Sequence, residues 1–73
     1  MNRWEYRVLV RGLDKNDNYI WTDKDQRSSE ERLNAMGLEG WELIEVVTVS
    51  RPGTSSWAGL TTGLHYIFKR PGQ

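Results

Sequence analysis

The stretch Trp-Glu-Leu-Ile-Glu-Val-Val-Thr-Val, running from Trp41 to Val49, is apolar on both parities. Trp41, Leu43, Val47 and Val49 share one side with Glu45, while Ile44 and Val46 share the other with Glu42 and Thr48. A strand with a helix on one side and water on the other alternates cleanly between apolar and polar residues. This one does not, and it predicts a central strand with a second apolar layer against its back. The competing reading is a bulge that shifts the parity partway along.

The second layer has to come from somewhere, and the chain is short. At 73 residues it is expected to form one domain over 1–73. A chain of this size buries only about 60% of the surface that its unfolded form exposes, so its own core is marginal. Disulfides cannot staple it because there is no cysteine, and the single histidine, His65, argues against a structural zinc site. What remains is an aromatic core, drawn from four Trp, three Tyr and one Phe, and burial against another subunit. Self-association, as a homodimer or something larger, is therefore the expected partnership. Ile44, Val46 and Ile67, with Trp57, are the candidate interface residues.

The rest of the chain fills in the architecture. Trp4, Tyr6, Val8 and Val10 alternate with Glu5, Arg7, Leu9 and Arg11, which predicts a half-buried strand with the aromatic parity inward. Asp14 to Asp17 reads as a turn that closes a hairpin and pairs Tyr19, Ile20 and Trp21 back onto this strand. Ser28 and Glu31 have the spacing of a capping box, so a helix starts there, with Leu33 and Met36 on its inner face. Gly37 is expected to stop it, with Leu38 folding back onto the last turn. A strand from Leu64 to Arg70 closes the chain, with Leu64, Tyr66 and Phe68 on one side and His65, Ile67 and Lys69 on the other, and Pro71 and Gly72 end it.

The expected fold is α+β: a three- or four-stranded, mainly antiparallel sheet with one short helix packed on one face, in βαββ order. Where the helix-linked strands run parallel, the crossover should be right-handed and the last strand should lie between them. Trp4, Tyr6, Val8, Leu33, Met36, Trp41, Leu43, Tyr66 and Phe68 are the expected core.

The order of "WEYRVLV", "LNAMGLEGWELIEVV" and "HYIFKRP" resembles the small domain family of unknown function called DUF4177. Its most specific element is Glu-Gly-Trp-Glu-Leu at Glu39 to Leu43. The resemblance covers nearly the whole chain and implies the βαββ order, but no activity. This chain carries a longer Asp-rich segment, Asp14 to Arg27, between its first strand and its helix.

The inventory of reactive groups points away from catalysis. There is no cysteine, and the serines and threonines have only His65 as a base. Glu42 and Glu45 fall on opposite sides of a regular strand, where they cannot flank one bond. Glu45 is expected to pair with an arginine such as Arg7 or to sit at the sheet margin. The four aspartates Asp14, Asp17, Asp23 and Asp25 lack the ligand spacing, central glycine and closing glutamate of a calcium loop, so no metal and no cofactor is expected.

The Gly/Ser/Thr-rich segment from residue 50 to 63 carries the alternative reading, a binder of a small anionic or nucleotide-like ligand. Backbone N–H groups there can cradle an anion beside Arg51, with Thr54 and Trp57 at the lip. Ten basic and ten acidic residues cancel, which disfavours nucleic acid as a partner. No apolar run approaches the roughly 20 residues that cross a bilayer, and Met1 leads straight into strand-like sequence. Expectation therefore settles on a cytoplasmic interaction module without enzymatic activity.

Overall fold

The computed structural model describes residues 3–50 and 61–72. In chain order these form β1 (Trp4–Leu13), β2 (Tyr19–Trp21), α1 (Ser29–Leu38), β3 (Glu42–Ser50) and β4 (Thr61–Pro71). The strands make one sheet in the order β2-β1-β4-β3, and every neighbouring pair is antiparallel. The expected α+β class and βαββ order are therefore present, with a short β2 added. Since β4 pairs antiparallel with both β1 and β3, those two strands run parallel with the last strand between them, as the topology rules anticipate.

The hairpin from β1 to β2 is built by Asp14. Its Oδ1 accepts the backbone N–H groups of Asn16 (2.8 Å) and Asn18 (2.9 Å), and its own N–H donates to the Asn18 carbonyl at 2.9 Å. Asp17 takes the left-handed residue of the turn at φ 62°. These contacts bring Trp21 opposite Arg11 and Ile20 opposite Gly12.

The helix begins as its sequence specifies. Ser28 Oγ accepts the N–H of Glu31 at 3.2 Å, and the Glu31 carboxylate accepts the N–H of Ser28 at 2.9 Å. Its end differs from expectation. Gly37 lies within the helix, and the left-handed residue is Gly40, at φ +88°. The Gly40 N–H donates to the Gly37 carbonyl and the Trp41 N–H to the Met36 carbonyl, both at 3.0 Å, which is a complete Schellman motif. The apolar contact that accompanies such a cap comes from Trp41 meeting Met36. Leu38, expected to fold back, is 90% exposed.

The core lies between α1 and one face of the sheet. Leu9, Trp21, Met36, Trp41, Tyr66 and Phe68 are buried, with Leu33 and Leu64 packed against them. Met36, Trp41, Tyr66 and Phe68 were expected there, and Leu33 is partly buried. Trp4, Tyr6 and Val8 are a correction, being 48%, 64% and 49% exposed. The register explains why. Arg7 faces Phe68, Leu9 faces Tyr66 and Arg11 faces Leu64, so the parity carrying the arginines is the one turned toward the helix. Leu43, also expected in the core, is only partly covered at 39% exposure.

β3 also differs from the central strand that its two apolar parities suggest. It is an edge strand, exposed along all nine residues. Its parity is broken by a bulge: Leu43 pairs with Phe68 and Glu45 with the next residue, Ile67, leaving Ile44 as the extra residue. Leu43 therefore faces the helix side together with Val46, which lies opposite Tyr66. Glu45, Val47 and Val49 face the back.

The two glycines give a test of this cap. Gly37→Ala adds a Cβ that meets nothing within 4 Å and should stabilise the fold by about 0.5–1 kcal/mol. Gly40→Ala forces a side chain onto a left-handed φ and should cost about 1–2 kcal/mol. Urea denaturation of the two variants reads the opposite signs.

Candidate functional site

Two places in this fold carry side chains that the core does not use. The first is the back of the sheet, opposite α1. Cross-strand partners share a face, so the register places Trp4, Tyr6, Val8 and Val10 of β1 beside Lys69, Ile67 and His65 of β4, and Val47 and Val49 of β3 beyond them. Ile20 extends this face onto β2 through its pairing with Gly12. Tyr6 at 64% and Val8 at 49% are among the most exposed large apolar residues described. His65 sits between Val10 and Val47, in the middle of this surface.

One corner of the back face is charged. The Lys69 ammonium lies 4.4 Å from the Trp4 ring centroid and 4.0 Å from a Glu42 carboxylate oxygen. The bulge at Ile44 also puts Glu45 on this face, so Glu42 and Glu45 share a side rather than opposing each other. Arg7 lies on the other face, opposite Phe68, and is not positioned to pair with Glu45. Glu45 stands at the sheet margin, the second of the two placements considered for it.

The second place is built around Trp21, where β2 turns toward α1. The indole N–H donates to the Arg27 carbonyl at 2.8 Å. The Arg11 and Arg32 guanidinium groups lie 4.9 and 4.8 Å from its ring centroid. Arg32 is buried, at 6% exposure, and its charge is met by a two-pronged pair with Asp23, at 3.0 Å on each prong, and by Asp25 at 3.4 Å. Arg11 donates to the Ser29 hydroxyl and, at 3.3 Å, to the Tyr19 carbonyl. Its buried Nε has no partner among the described residues.

Asp25 ties the segment together. It accepts the backbone N–H of Arg27 at 2.8 Å and the Arg27 guanidinium at 2.8 and 3.1 Å. The Arg27 side-chain bond, followed by the backbone bond, lowers its pKa from 3.8 to about 2. Asp23 is lowered as well, chiefly by its bond from Arg32. Beside this network lies a cavity of about 410 Å³, lined among others by Arg11, Tyr19, Trp21, Lys24, Asp25 and Arg27.

Of the residues singled out from sequence, Ile67 lies on the back face, Val46 on the helix side and Ile44 at the bulge. Arg51, Thr54 and Trp57, the proposed ligand lip, lie outside the described residues. The Trp21 cluster was missed as a site. Its signal was present in the two arginines and two aspartates that flank a strand tryptophan. Among the described residues, no group of His, Cys, Asp or Glu side chains is arranged to hold a metal ion, and no helix is long and apolar enough to cross a membrane.

An antiparallel four-stranded sheet with one covering helix, and with its other face uncovered among the described residues, defines a small α+β domain. The chain belongs to the family described as a domain of unknown function, DUF4177, whose model matches residues 4–71. No curated protein and no solved structure matches it.

The carboxylate network predicts an acid limb of stability. A carboxyl whose folded pKa is depressed stabilises the fold above its unfolded value near 3.8, and that contribution is lost as pH falls through about 2. Urea midpoints should therefore drop between about pH 4 and pH 2. Asp25→Asn should be less stable at neutral pH and show a flatter acid limb.

Proposed function

We propose that this chain is a non-catalytic interaction module that works as a homodimer, joined through the back faces of two sheets. The supporting observation is the apolar surface formed by Trp4, Tyr6, Val8, Val47 and Val49, exposed by 38–64% and left uncovered by the described residues. Three long strands about 4.8 Å apart and roughly eight residues deep make a face on the order of 400 Å² in projection. Side chains standing off the sheet raise the accessible area toward the roughly 800 Å² per partner of a standard interface.

A second copy is the occupant that best fits this surface. The chain carries ten basic and ten acidic residues, so two copies have no net repulsion to overcome. The charged corner contains both signs, with Lys69 beside Glu42 and Glu45, and a two-fold axis through the face allows Lys69 of one copy to meet the acidic residues of the other. A partner of strong single-sign charge finds no matching field here.

The non-catalytic part rests on the inventory. With no cysteine, the one imidazole is His65, and its cross-strand neighbours are Val10 and Val47. Absence of cysteine also suits a reducing cytoplasm, where we place the module.

Sedimentation velocity over a low- to high-micromolar range should show a concentration-dependent dimer. Val8→Lys puts a charge in the centre of the face and should weaken it by at least about a hundredfold, roughly 3 kcal/mol, with unchanged far-ultraviolet circular dichroism. A wild-type monomer at high-micromolar concentration, or a Val8→Lys dimer as tight as the wild type, overturns the proposal.

A further inference from the structure

The cavity beside Trp21 has a charge balance that the chain as a whole lacks. The full sequence is neutral, yet Arg11, Lys24 and Arg27 line this one pocket against a single carboxylate, Asp25. Two positive charges are left over in a concave space, where low-dielectric walls focus the field.

The three cations are held differently. Arg27 spends Nε and Nη2 on Asp25. Arg11 spends both terminal nitrogens on Ser29 and the Tyr19 carbonyl, and its buried Nε is left without a partner among the described residues. A buried guanidinium donor left unpaired is costly, and such groups call for an acceptor. The described residues give the Lys24 ammonium no partner either. Lys24 also holds a left-handed φ of 67°, fixed by its N–H donating to the Trp21 carbonyl at 2.9 Å. A glycine or asparagine would adopt that backbone more cheaply.

The remaining lining is apolar and partly open. Tyr19, on the same side of β2 as the buried Trp21, is 38% exposed and forms one wall of the space. At about 410 Å³ the space lies within the size range of small-molecule sites.

We infer that this pocket binds a small organic anion, a carboxylate or phosphomonoester carried on a flat apolar group. Arg11 and Lys24 meet the anion, and Tyr19 packs against the body. Asp25 holds Arg27 at the rim and offsets its charge, which leaves Arg11 and Lys24 to set the preference for an anion.

The site is independent of the dimer, and its test is run on both the wild type and the Val8→Lys variant. The readouts are the ¹⁵N–¹H resonances of the Lys24 amide and the Trp21 indole, followed during titration with benzoate, phenyl phosphate, benzamide and inorganic phosphate. Benzoate or phenyl phosphate should give saturable shifts at both positions. Lys24→Gln, an exposed and structurally mild change, should weaken that binding by about three- to tenfold. Four results overturn the inference: no saturable shift with either aromatic anion; neutral benzamide binding as well as benzoate; inorganic phosphate binding as well as phenyl phosphate; or Lys24→Gln leaving the affinity unchanged.

Discussion

A ten-residue helix is about 15 Å long, and the strands beneath it, ten and eleven residues, run to about 33 Å or more. One such helix cannot roof even one face of this sheet. The consequences run through the whole molecule. Where α1 lies, Leu9, Met36, Tyr66 and Phe68 are buried. Toward the outer edge, Leu43 and Val46 remain 39% and 41% exposed on the same face, and the opposite face has no cover among the described residues.

The missing roof on the helix side is completed by cations. Arg11 and Arg32 lie over Trp21, and Arg70 lies 4.3 Å from the Trp41 centroid, with its Nη1 donating to the Glu39 carbonyl at 2.9 Å and its Nε 3.4 Å from Glu5. Each of these arginines covers an indole with a flat, weakly hydrated group and places donors on acceptors at the rim, with the Arg11 Nε left over. This arrangement suits a chain with no cysteine and a small core, because it buries aromatic area without demanding more apolar sequence. It also carries a constraint. Arg32 is buried only because Asp23 and Asp25 meet its charge, so the Asp-rich segment between β2 and α1 is a structural part of the core.

These arginines also explain what the sequence left illegible. Local signals were clear: the capping box at Ser28 and Glu31, the Asp14 turn and the alternation of β1 all form as their residues dictate. Periodicity separates the two parities of β1 but does not say which one the helix covers. Counting Arg7 and Arg11 as outward and Trp4 and Tyr6 as inward follows ordinary solvation. It fails here because an indole face and a serine hydroxyl receive Arg11. The same limit applies to β3, where a bulge and a second apolar layer give the same one-dimensional pattern until the register with β4 is known. Gly37 and Gly40 both fit a helix stop by composition, and only the bonds from Gly40 and Trp41 distinguish them. The cavity beside Trp21 needed three segments, β1, β2 and the turn after β2, to be brought together.

Among the described residues both the back face and the edges of this sheet are uncovered, but they differ in how they would receive another copy. An edge strand invites pairing through its free backbone groups, and proteins block it with charge, bulges or brevity. Here β2 ends one side of the sheet with three residues, and β3 ends the other with Glu42, Glu45 and a bulge at Ile44. Both edges therefore carry recognised obstacles to strand addition. Among the described residues the back face carries none over most of its area: Lys69, Glu42 and Glu45 are gathered at one corner, and valines, Ile67, Tyr6 and His65 occupy the rest. For the proposed dimer, obstacles at the rims and apolar side chains on the face favour face-to-face stacking over strand addition, because the hydrophobic effect then acts over the whole area and no backbone register has to be matched.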